Sequence, residues 1–267
     1  MNADPAYANL DASDLLDALR AGRIALHYQP KLSLDSGTIV GVEALARWNH
    51  AEFGIVPPSH FIPLAETGGL IHDFTATVVD LAAKQIAVLE RAGFPIDVAV
   101  NVSAANLDRL DFPDRIEEAC LRHCGGCEKL TVELTESAQQ SVTYLLDTLT
   151  RLRIKGASLS LDDFGTGYSS LVQLHQLPFS EMKVDRSFVS GMPTSRECRA
   201  IVKSIIDLAR NLGLSVVAEG VETAEIMDML RSLGCDSAQG YHIAKPMPGA
   251  ELIAWLEKRH AGEPSGS

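Results

Sequence analysis

The stretch YLLDTLTRLRIKGASLSLDD, residues 144–163, passes from an amphipathic helical pattern through Gly156 into a short apolar run that ends in two aspartates. A glycine just past a helix takes the left-handed conformation that caps the last free carbonyls. The apolar run has the length and composition of a strand that is covered on both faces, as in a parallel sheet. This stretch therefore predicts a helix, a glycine cap and a parallel strand in succession.

The same succession recurs along the chain, where Gly93, Gly213 and Gly234 each close a helical pattern just before an apolar run. We predict eight strands in all, at residues 24–30, 38–45, 97–103, 129–136, 157–163, 181–185, 214–220 and 237–243. Eight strands that alternate with helices predict an α/β fold, specifically a (β/α)8 TIM-type barrel.

One connection departs from this alternation. The segment KLSLDSG (31–37) is too short for the crossover helix that a parallel pair requires. Asp35-Ser36-Gly37 has the composition of a hairpin turn. We therefore predict a β1-β2 hairpin and a first strand that runs antiparallel to the second.

The chain of 267 residues is expected to form one barrel domain at residues 12–258, with flexible tails at 1–11 and 259–267. Its start has neither the basic residues nor the apolar core of a signal peptide, and no apolar stretch has the length of a membrane span. Five cysteines, an odd number, fit reduced thiols. These features predict a cytoplasmic location and no membrane in this chain.

The formal net charge of −12 argues against binding to polymeric nucleic acid or to anionic membranes, because no cationic surface exists to release counterions. A small anionic ligand remains compatible with this charge. Its own charge must then be met locally, by a few Lys or Arg side chains or by metal ions.

Nearly every predicted strand ends in a polar side chain, at the edge where barrels of this type carry their chemistry. These strand-end residues are Gln29, Glu43, Asn101, Glu133, Asp162, Asp163, Lys183, Asp185, Glu219 and Gln239. Carboxylates gathered at one mouth raise each other's pKa unless cations compensate them. A set of oxygen ligands without His or Cys indicates Mg²⁺ or Mn²⁺ rather than zinc.

Asp162 and Asp163 are adjacent, so one can bridge two ions while the other reaches the second ion. Paired ions of this kind serve the hydrolysis of phosphate esters. The alternative is an Asp-Asp turn that caps backbone amides. Lys183 precedes Asp185 by two residues, so both point to one side of the strand, where Lys183 can hold a hydroxide or a phosphate oxygen; its alternative is an ordinary solvated lysine.

These residues belong to a set of motifs with a fixed order: EALARW (43–48), NVS (101–103), ELTE (133–136), DDFGTGYSSL (162–171), KVDRSFV (183–189), AEGVE (218–222) and QGY (239–241). YQP at 28 and GIVPPSHFIPLAE at 54 accompany them. Together they resemble the signature motifs of EAL domains, over almost the whole chain.

The resemblance implies a cyclic-di-GMP-specific phosphodiesterase that gives linear pGpG, on a barrel with an antiparallel first strand and with two Mg²⁺ or Mn²⁺ ions. It implies that the first ion is held by Glu43, Asn101, Glu133 and Asp162. The second is implied to be near Asp162, Asp163 and Glu219, with Glu219 either a metal ligand or a general base. Lys183 matches the residue that holds the nucleophilic water.

The resemblance also assigns positions near the substrate, which are Gln29, Arg47, Asp185, Glu222 and Gln239. Glu136 resembles a glutamate that anchors the loop beginning at Asp163, and its alternative is a helix-start carboxylate. A homodimer is implied, with the Gly165-Thr166-Gly167 loop near the interface. Family members commonly carry regulatory or cyclase domains, which this chain lacks.

Two other functions remain open at this point. One is an EAL-like receptor that binds cyclic di-GMP without hydrolysing it, and the other is an enzyme for a different phosphodiester or a sugar phosphate. The stretch CLRHCGGC (120–127) also contains three cysteines and a histidine, Cys120, Cys124, Cys127 and His123. With a single C-x-x-C, we interpret it as a glycine-rich turn with incidental cysteines, and zinc or redox chemistry is the alternative.

Overall fold

The computed structural model describes residues 7, 9–135, 142–165 and 171–262, with the side chains of 142–144 and 171–173 left outside that description. Glu136 and the Thr166-Gly167 part of the glycine loop also lie outside the described residues. The strands are β1 (Ile24–Ser33), β2 (Ile39–His50), β3 (Gly54–Val56), β4 (Asp97–Val102), β5 (Leu130–Thr135), β6 (Ser158–Phe164), β7 (Glu181–Val184), β8 (Ser215–Ala218), β9 (Ser237–Gln239) and β10 (Met247–Pro248).

The helices alternate with these strands. They are α1 (Ala12–Arg20), α2 (Pro58–Thr67), α3 (Ile71–Arg91), α4 (Phe112–His123), α5 (Val142–Ile154), α6 (Leu171–Gln176), α7 (Arg186–Gly191), α8 (Arg196–Leu212), α9 (Ala224–Leu233) and α10 (Gly249–His260). A 3-10 helix (Ala104–Asp108) follows β4. Gly93, Gly156, Gly213 and Gly234 all have positive φ next to helix ends, as predicted.

Eight strands close into a barrel in the order β1, β2, β4, β5, β6, β7, β8, β9 and back to β1. All neighbours from β2 round to β9 pair in parallel, whereas β1 pairs antiparallel with both β2 and β9. The predicted barrel and its β1-β2 hairpin are therefore confirmed. Residues 34–36 form the turn, and the backbone N–H of Ser33 donates to the carbonyl of Thr38 at 2.9 Å.

The prediction from sequence lacks two short strands, β3 and β10, and makes the last barrel strand too long. β3 and β10 extend the sheet beside β2 and β1, and two or three residues are too few to show a period. The last barrel strand was predicted at 237–243 but ends at Gln239. After it the chain turns, because the N–H groups of Ile243 and Ala244 both donate to the carbonyl of Gly240.

Strand β5 illustrates how the barrel separates an apolar shell from a polar interior. Leu130, Val132 and Leu134 belong to the hydrophobic core, and side chains that alternate along a strand point to opposite faces. Thr131 and Glu133 therefore face the barrel axis, where both are buried. Polar groups in that interior must find partners inside it.

The first helix begins at Ala12 and the last ends at His260, while the domain bounds of 12–258 stay a prediction. Asp11 caps α1 by accepting hydrogen bonds from the N–H groups of Ser13 and Asp14, and α10 continues to His260, two residues past the predicted end. No helix among the described residues is long and apolar enough to cross a membrane.

The cysteine-rich turn lies between α4 and β5, with Cys120 and Cys127 buried and all five thiols free. His123 donates a hydrogen bond from Nε2 to Asp80 Oδ1 at 2.7 Å. These residues are not among those whose ligand atoms gather as a metal site in the described part of the chain. The interpretation as incidental cysteines stays a prediction.

Gly240→Ala should lower the free energy of unfolding by about 3 kcal/mol, because overpacking against backbone cannot relax cheaply. A Cβ at Gly240 would lie 2.1 Å from the carbonyl oxygen of Val221 and 2.3 Å from its nitrogen. Urea denaturation measures the change. The control is Gly22→Ala, where φ is +65° but no atom lies within 4 Å, so only about 1 kcal/mol is expected. A Gly240→Ala variant as stable as Gly22→Ala would contradict this close approach.

Candidate active site

Four carboxylates from different strands surround the ammonium group of Lys183. Lys183 Nζ lies 2.6 Å from Glu219 Oε1, 2.9 Å from Glu133 Oε2, 3.1 Å from Asp162 Oδ1 and 3.5 Å from Glu43 Oε2. Its side chain is only 1% exposed. Burial acts to lower the pKa of Lys183, but the carboxylates, Glu133 first, raise it well above its usual value. The ammonium is therefore a fixed positive charge at the centre of the site.

Glu133 is fully buried between two lysines, one on each oxygen. Lys31 Nζ lies 2.9 Å from Oε1, and Lys183 Nζ lies 2.9 Å from Oε2. Burial acts to raise the pKa of Glu133, but the two ammonium groups outweigh it and hold the pKa at about 2. Glu133 is thus an ionised carboxylate in the barrel interior.

Lys31 and its second partner, Glu181, were missed from the sequence. Lys31 Nζ also lies 2.9 Å from Glu181 Oε1. The signal that could have found them is the strand period of two, because Lys31 follows Gln29 by two residues and Glu181 precedes Lys183 by two. Both therefore share the inward face with a residue that was singled out.

Asp162 and Asp163 face the same side although they are adjacent on β6. Neighbouring side chains on a regular strand point to opposite faces. Here Asp163 has φ = 55°, the only positive φ among described non-glycine residues, and the β6-β7 register shifts between Leu161 and Phe164. As a result, carboxylate oxygens of Asp162, Asp163 and Glu219 all lie within 4.8 Å of one another. Non-glycine residues in the left-handed conformation, such as Asp163, tend to cluster at functional sites.

Glu219 and Asp162 of this cluster contact one ammonium group, that of Lys183, whereas Glu133 contacts two. Burial, together with Asp162 and Glu43, raises the pKa of Glu219 to about 8 against the opposing effect of Lys183. Burial likewise raises the pKa of Asp162 to about 6. The pKa of Asp163 is raised by burial and by Asp185, whose side chain forms a hydrogen bond with it.

A network of amides holds Glu43 on the opposite wall. Asn101 Nδ2 donates to Glu43 Oε1 at 2.7 Å, and Gln239 Nε2 donates to Glu43 Oε2. Gln239 Nε2 also donates to Gln29 Oε1 at 3.1 Å, while Gln29 Nε2 donates to the carbonyl of Ala244 at 3.1 Å. The predicted residues Gln29, Glu43, Asn101 and Gln239 are therefore in direct contact.

A cavity of about 280 Å³ opens above these groups. Arg186, Glu222 and Tyr241 line it together with Gln29, Glu43, Asp162, Glu219 and Gln239. Arg186 was missed from the sequence, although it directly follows Asp185 at the end of β7. Within the described part of the chain its guanidinium has no hydrogen-bond or ion-pair partner.

The remaining predicted residues lie at the edges of this site. Asp185 caps α7 by accepting from the N–H of Ser187 at 3.0 Å. Arg47 is half-buried and donates to the carbonyl of Ala46, and burial lowers its pKa against the opposing effects of Tyr241 and Glu43. Arg47 is not among the residues that line the cavity.

The donor set fits a hard divalent cation. Asp162, Asp163 and Glu219 offer converging carboxylate oxygens, and Gln239 Oε1 is buried with no hydrogen-bond partner among the described residues. Carboxylate and amide oxygens without sulfur or imidazole are the ligands that Mg²⁺ and Mn²⁺ prefer. A cation there would also relieve the repulsion that raises the pKa of Asp162 and Glu219.

Comparison with known proteins places this site in context. A family model described as EAL domain matches residues 12–246. The bifunctional diguanylate cyclase/cyclic di-GMP phosphodiesterase MucR of Pseudomonas aeruginosa is 42% identical over 243 residues, which are 90% of this chain and 36% of that protein. The cyclic di-GMP phosphodiesterase RocR of the same organism is 39% identical over 242 residues, 90% of this chain and 62% of that protein. The chain thus spans less than two thirds of the length of these relatives.

Solved structures show the same fold. A structure of the PaMucR phosphodiesterase in complex with c-di-GMP is 41% identical with a TM-score of 0.86, and the match covers 90% of this chain and 98% of that one. The EAL enzyme Bd1971, in a form with cAMP and cyclic di-GMP bound, is 30% identical with a TM-score of 0.87, and the match covers 92% of this chain and 68% of that one.

Mg²⁺ should raise the melting temperature more at about pH 8 than at about pH 6, because a cation must displace the protons that raised carboxyl pKa values retain at lower pH. In the protein without metal, stability is expected to fall as pH rises. Carboxyl groups whose folded pKa is raised contribute stability at low pH, and this is lost as pH rises through about 6 for Asp162 and about 8 for Glu219. Differential scanning fluorimetry with and without Mg²⁺ measures the shift.

Two variants control this experiment. Asp162→Asn should reduce the response to Mg²⁺, whereas Asp35→Asn, an exposed residue of the β1-β2 turn, should leave it unchanged. Equal Mg²⁺ shifts at both pH values in the wild type would show that these carboxyl groups do not bind the ion.

Proposed function

The chain belongs to the EAL domain family, and on that basis we propose that it is a metal-dependent phosphodiesterase that hydrolyses cyclic di-GMP to linear pGpG with two divalent ions, Mg²⁺ or Mn²⁺. The observation that carries the proposal is the set of carboxylates that converges around Lys183, with Asp162, Asp163 and Glu219 within 4.8 Å of one another. Similarity to proteins named as cyclic di-GMP phosphodiesterases supports the substrate.

In this proposal the residues divide between two ions. Glu43, Asn101, Glu133 and Asp162 would hold the first, and Asp162, Asp163 and Glu219 are the residues around the second. Bound divalent ions supply a water of lowered pKa and neutralise charge on the phosphate. Asp162 is proposed to be shared, because it contacts Lys183 at 3.1 Å alongside Glu43 and Glu133 and also belongs to the cluster with Asp163 and Glu219.

Lys183 and Glu219 are the residues that handle the water and its proton. The ammonium of Lys183 can donate hydrogen bonds to the attacking water and stays charged because its pKa is raised. Glu219, whose Oε1 lies 2.6 Å from Lys183 Nζ, can accept a proton in its ionised form. The water oxygen then forms a bond to phosphorus while one P–O bond of the ring breaks, and the departing oxygen takes up a proton. Glu219 serves either as this base or as a ligand.

The polar wall of the cavity is proposed to hold the ligand. Gln29, Gln239 and Glu222 line the cavity, and together with Asp185 and Arg47 at the edges of the site they would supply hydrogen-bonding groups around the reacting phosphate. Cyclic di-GMP carries two negative phosphates, whereas the cavity lining contains four carboxylates. Arg186 is the cation in that lining, and its guanidinium, which has no partner among the described residues, can donate to two phosphate oxygens in bidentate fashion.

Three further expectations stay predictions. They are a homodimer, a cytoplasmic location, and regulatory or cyclase domains outside this chain. The loop anchor Glu136, which would couple the glycine loop to the site, also stays a prediction because it lies outside the described residues.

Asp162→Asn should lower turnover of cyclic di-GMP by at least about 10³-fold, because it removes a charge that both ions would share. Chromatography of the products, with Mg²⁺ and with a chelator, measures the conversion to pGpG. Asp35→Asn is the matched control at the far end of the barrel, with unchanged turnover expected. Near-normal hydrolysis by Asp162→Asn would refute the site assignment.

The same assay separates the competing functions. A wild-type protein that binds cyclic di-GMP without forming pGpG would be a receptor. Faster turnover of linear pGpG or of an aryl phosphodiester than of cyclic di-GMP would indicate a different phosphodiester as substrate.

Arg186→Met should raise KM for cyclic di-GMP about 10-fold and leave kcat within about twofold, because a contact to charged phosphate contributes about 1.5 kcal/mol to binding. Arg186→Lys keeps the charge but not the fork, so an intermediate KM is expected. The KM of the Met variant should also depend less on salt. An unchanged KM in Arg186→Met would mean that the substrate does not contact Arg186.

A further inference from the structure

A line of alternating charges runs along the barrel interior beneath the site. We call it the charge column, and its members are Glu181, Lys31, Glu133 and Lys183, in that order. Each neighbouring pair is joined by a contact of 2.9 Å between an ammonium nitrogen and a carboxylate oxygen. The partners come from β7, β1 and β5, so the column ties three walls of the barrel together.

Lys31 occupies the middle of this column and is buried, with its side chain 6% exposed. It reaches Glu133 from below because β1 runs antiparallel, paired in register with Gly41 of β2 and Gln239 of β9. Its other partner, Glu181, opens into a cavity of about 340 Å³ at the far end of the barrel, which Asp35, Asp97 and Asp236 also line. The column therefore connects the site to the opposite end.

The two carboxylate oxygens of Glu133 bind different lysines. Oε1 is bound by Lys31, which leaves Oε2 to face Lys183 and the mouth. Without Lys31, the carboxylate is free to rotate and offer both oxygens to Lys183. Such a rotation moves both groups relative to Glu43, Asp162 and Glu219, which contact the same ammonium.

We propose that Lys31 is a positioning residue for the hydrolysis proposed above: it fixes Glu133 through Oε1, so that Oε2 and the Lys183 ammonium keep the positions that metal binding and water activation need. The inference rests on the proposed function, although the Lys31–Glu133 contact itself does not. Lys31 acts through Glu133 and is not placed in contact with the substrate.

Stability alone is a weak reason for this arrangement. Replacing a buried ion pair by apolar groups is often neutral or stabilising, because desolvation of two charges offsets their attraction. Groups that orient a metal ligand, by contrast, typically change metal affinity or activity about 10- to 100-fold when removed. The two roles therefore predict different outcomes for the same substitution.

The test uses the double variant Lys31→Met/Glu181→Gln. It removes one positive and one negative charge, so the net charge of the protein is unchanged and an effect on metal affinity does not come from a change in net charge. It also leaves the Glu133–Lys183 pair intact. The matched control is Lys129→Met/Asp97→Asn, which removes a pair with a contact of 3.0 Å at the same end of the barrel but without contact to the site.

Three quantities are measured on each protein: kcat and KM for cyclic di-GMP, the dissociation constant of Mn²⁺ by calorimetry or electron paramagnetic resonance on metal-free protein, and the unfolding midpoint. We expect kcat of the Lys31 double variant to fall about 10- to 100-fold with KM within about threefold, and the Mn²⁺ dissociation constant to rise about 10-fold. The control should match the wild type in kcat and in Mn²⁺ binding. A folded Lys31 double variant with kcat and Mn²⁺ affinity both within about twofold of the wild type overturns the proposal.

The outcomes remain interpretable if the enzyme assay fails. A wild type that does not hydrolyse cyclic di-GMP defeats the proposed function, while Mn²⁺ binding still tests the positioning of Glu133. If the Met variant does not fold, Lys31→Gln/Glu181→Gln keeps hydrogen-bonding groups in the interior. A smaller loss in the same direction supports the role of Lys31, and unchanged Mn²⁺ binding and kcat refute it.

Discussion

Buried carboxylates that face one another inside a barrel must be matched by positive charge, because neither water nor distance screens them there. Lys183 meets this requirement at the mouth, where it contacts Glu43, Glu133, Asp162 and Glu219. Lys31 meets it one layer below. Strand β5 carries Leu130, Val132 and Leu134 on its other face, so the same strand that builds the hydrophobic core delivers a carboxylate into this interior. The apolar shell and the charged axis thus depend on one alternation of side chains.

The two lysines do not neutralise all the acids equally, and the pKa values of the acids differ as a result. Glu133 has an ammonium on each oxygen and a pKa of about 2, whereas burial and neighbouring acids raise the pKa of Glu219 to about 8. The negative charge of Glu133 is therefore compensated by lysines, whereas the cluster of Asp162, Asp163 and Glu219 has too little positive charge beside it. In the proposed mechanism Asp162, Asp163 and Glu219 would hold divalent ions that supply that charge.

The antiparallel first strand has a function that the barrel topology alone does not reveal. Because β1 runs against its neighbours, Gln29 and Lys31 enter the interior from a strand whose start is at the mouth. Gln29 then joins Gln239 and Glu43 near the cavity, while Lys31 extends below toward Glu133 and Glu181. The β1-β2 hairpin thereby contributes Gln29 to the wall of the cavity and Lys31 to the contacts that hold Glu133.

The sequence by itself determined the barrel, the hairpin, the glycine caps and the ring of polar strand ends, because each depends on residues that are close in the chain. It also placed Glu43, Glu133, Asp162, Lys183 and Glu219 together, since strand ends of a barrel share one edge. The pairing of Lys31 with Glu133 and Glu181 joins residues 102 and 150 positions apart, and it required the tertiary structure. The left-handed conformation of Asp163 and the Arg186 guanidinium, which is unpaired in the part of the chain that the structure describes, also required the tertiary structure. Charge compensation and backbone strain depend on distances across the fold, and local sequence patterns contain no such distances.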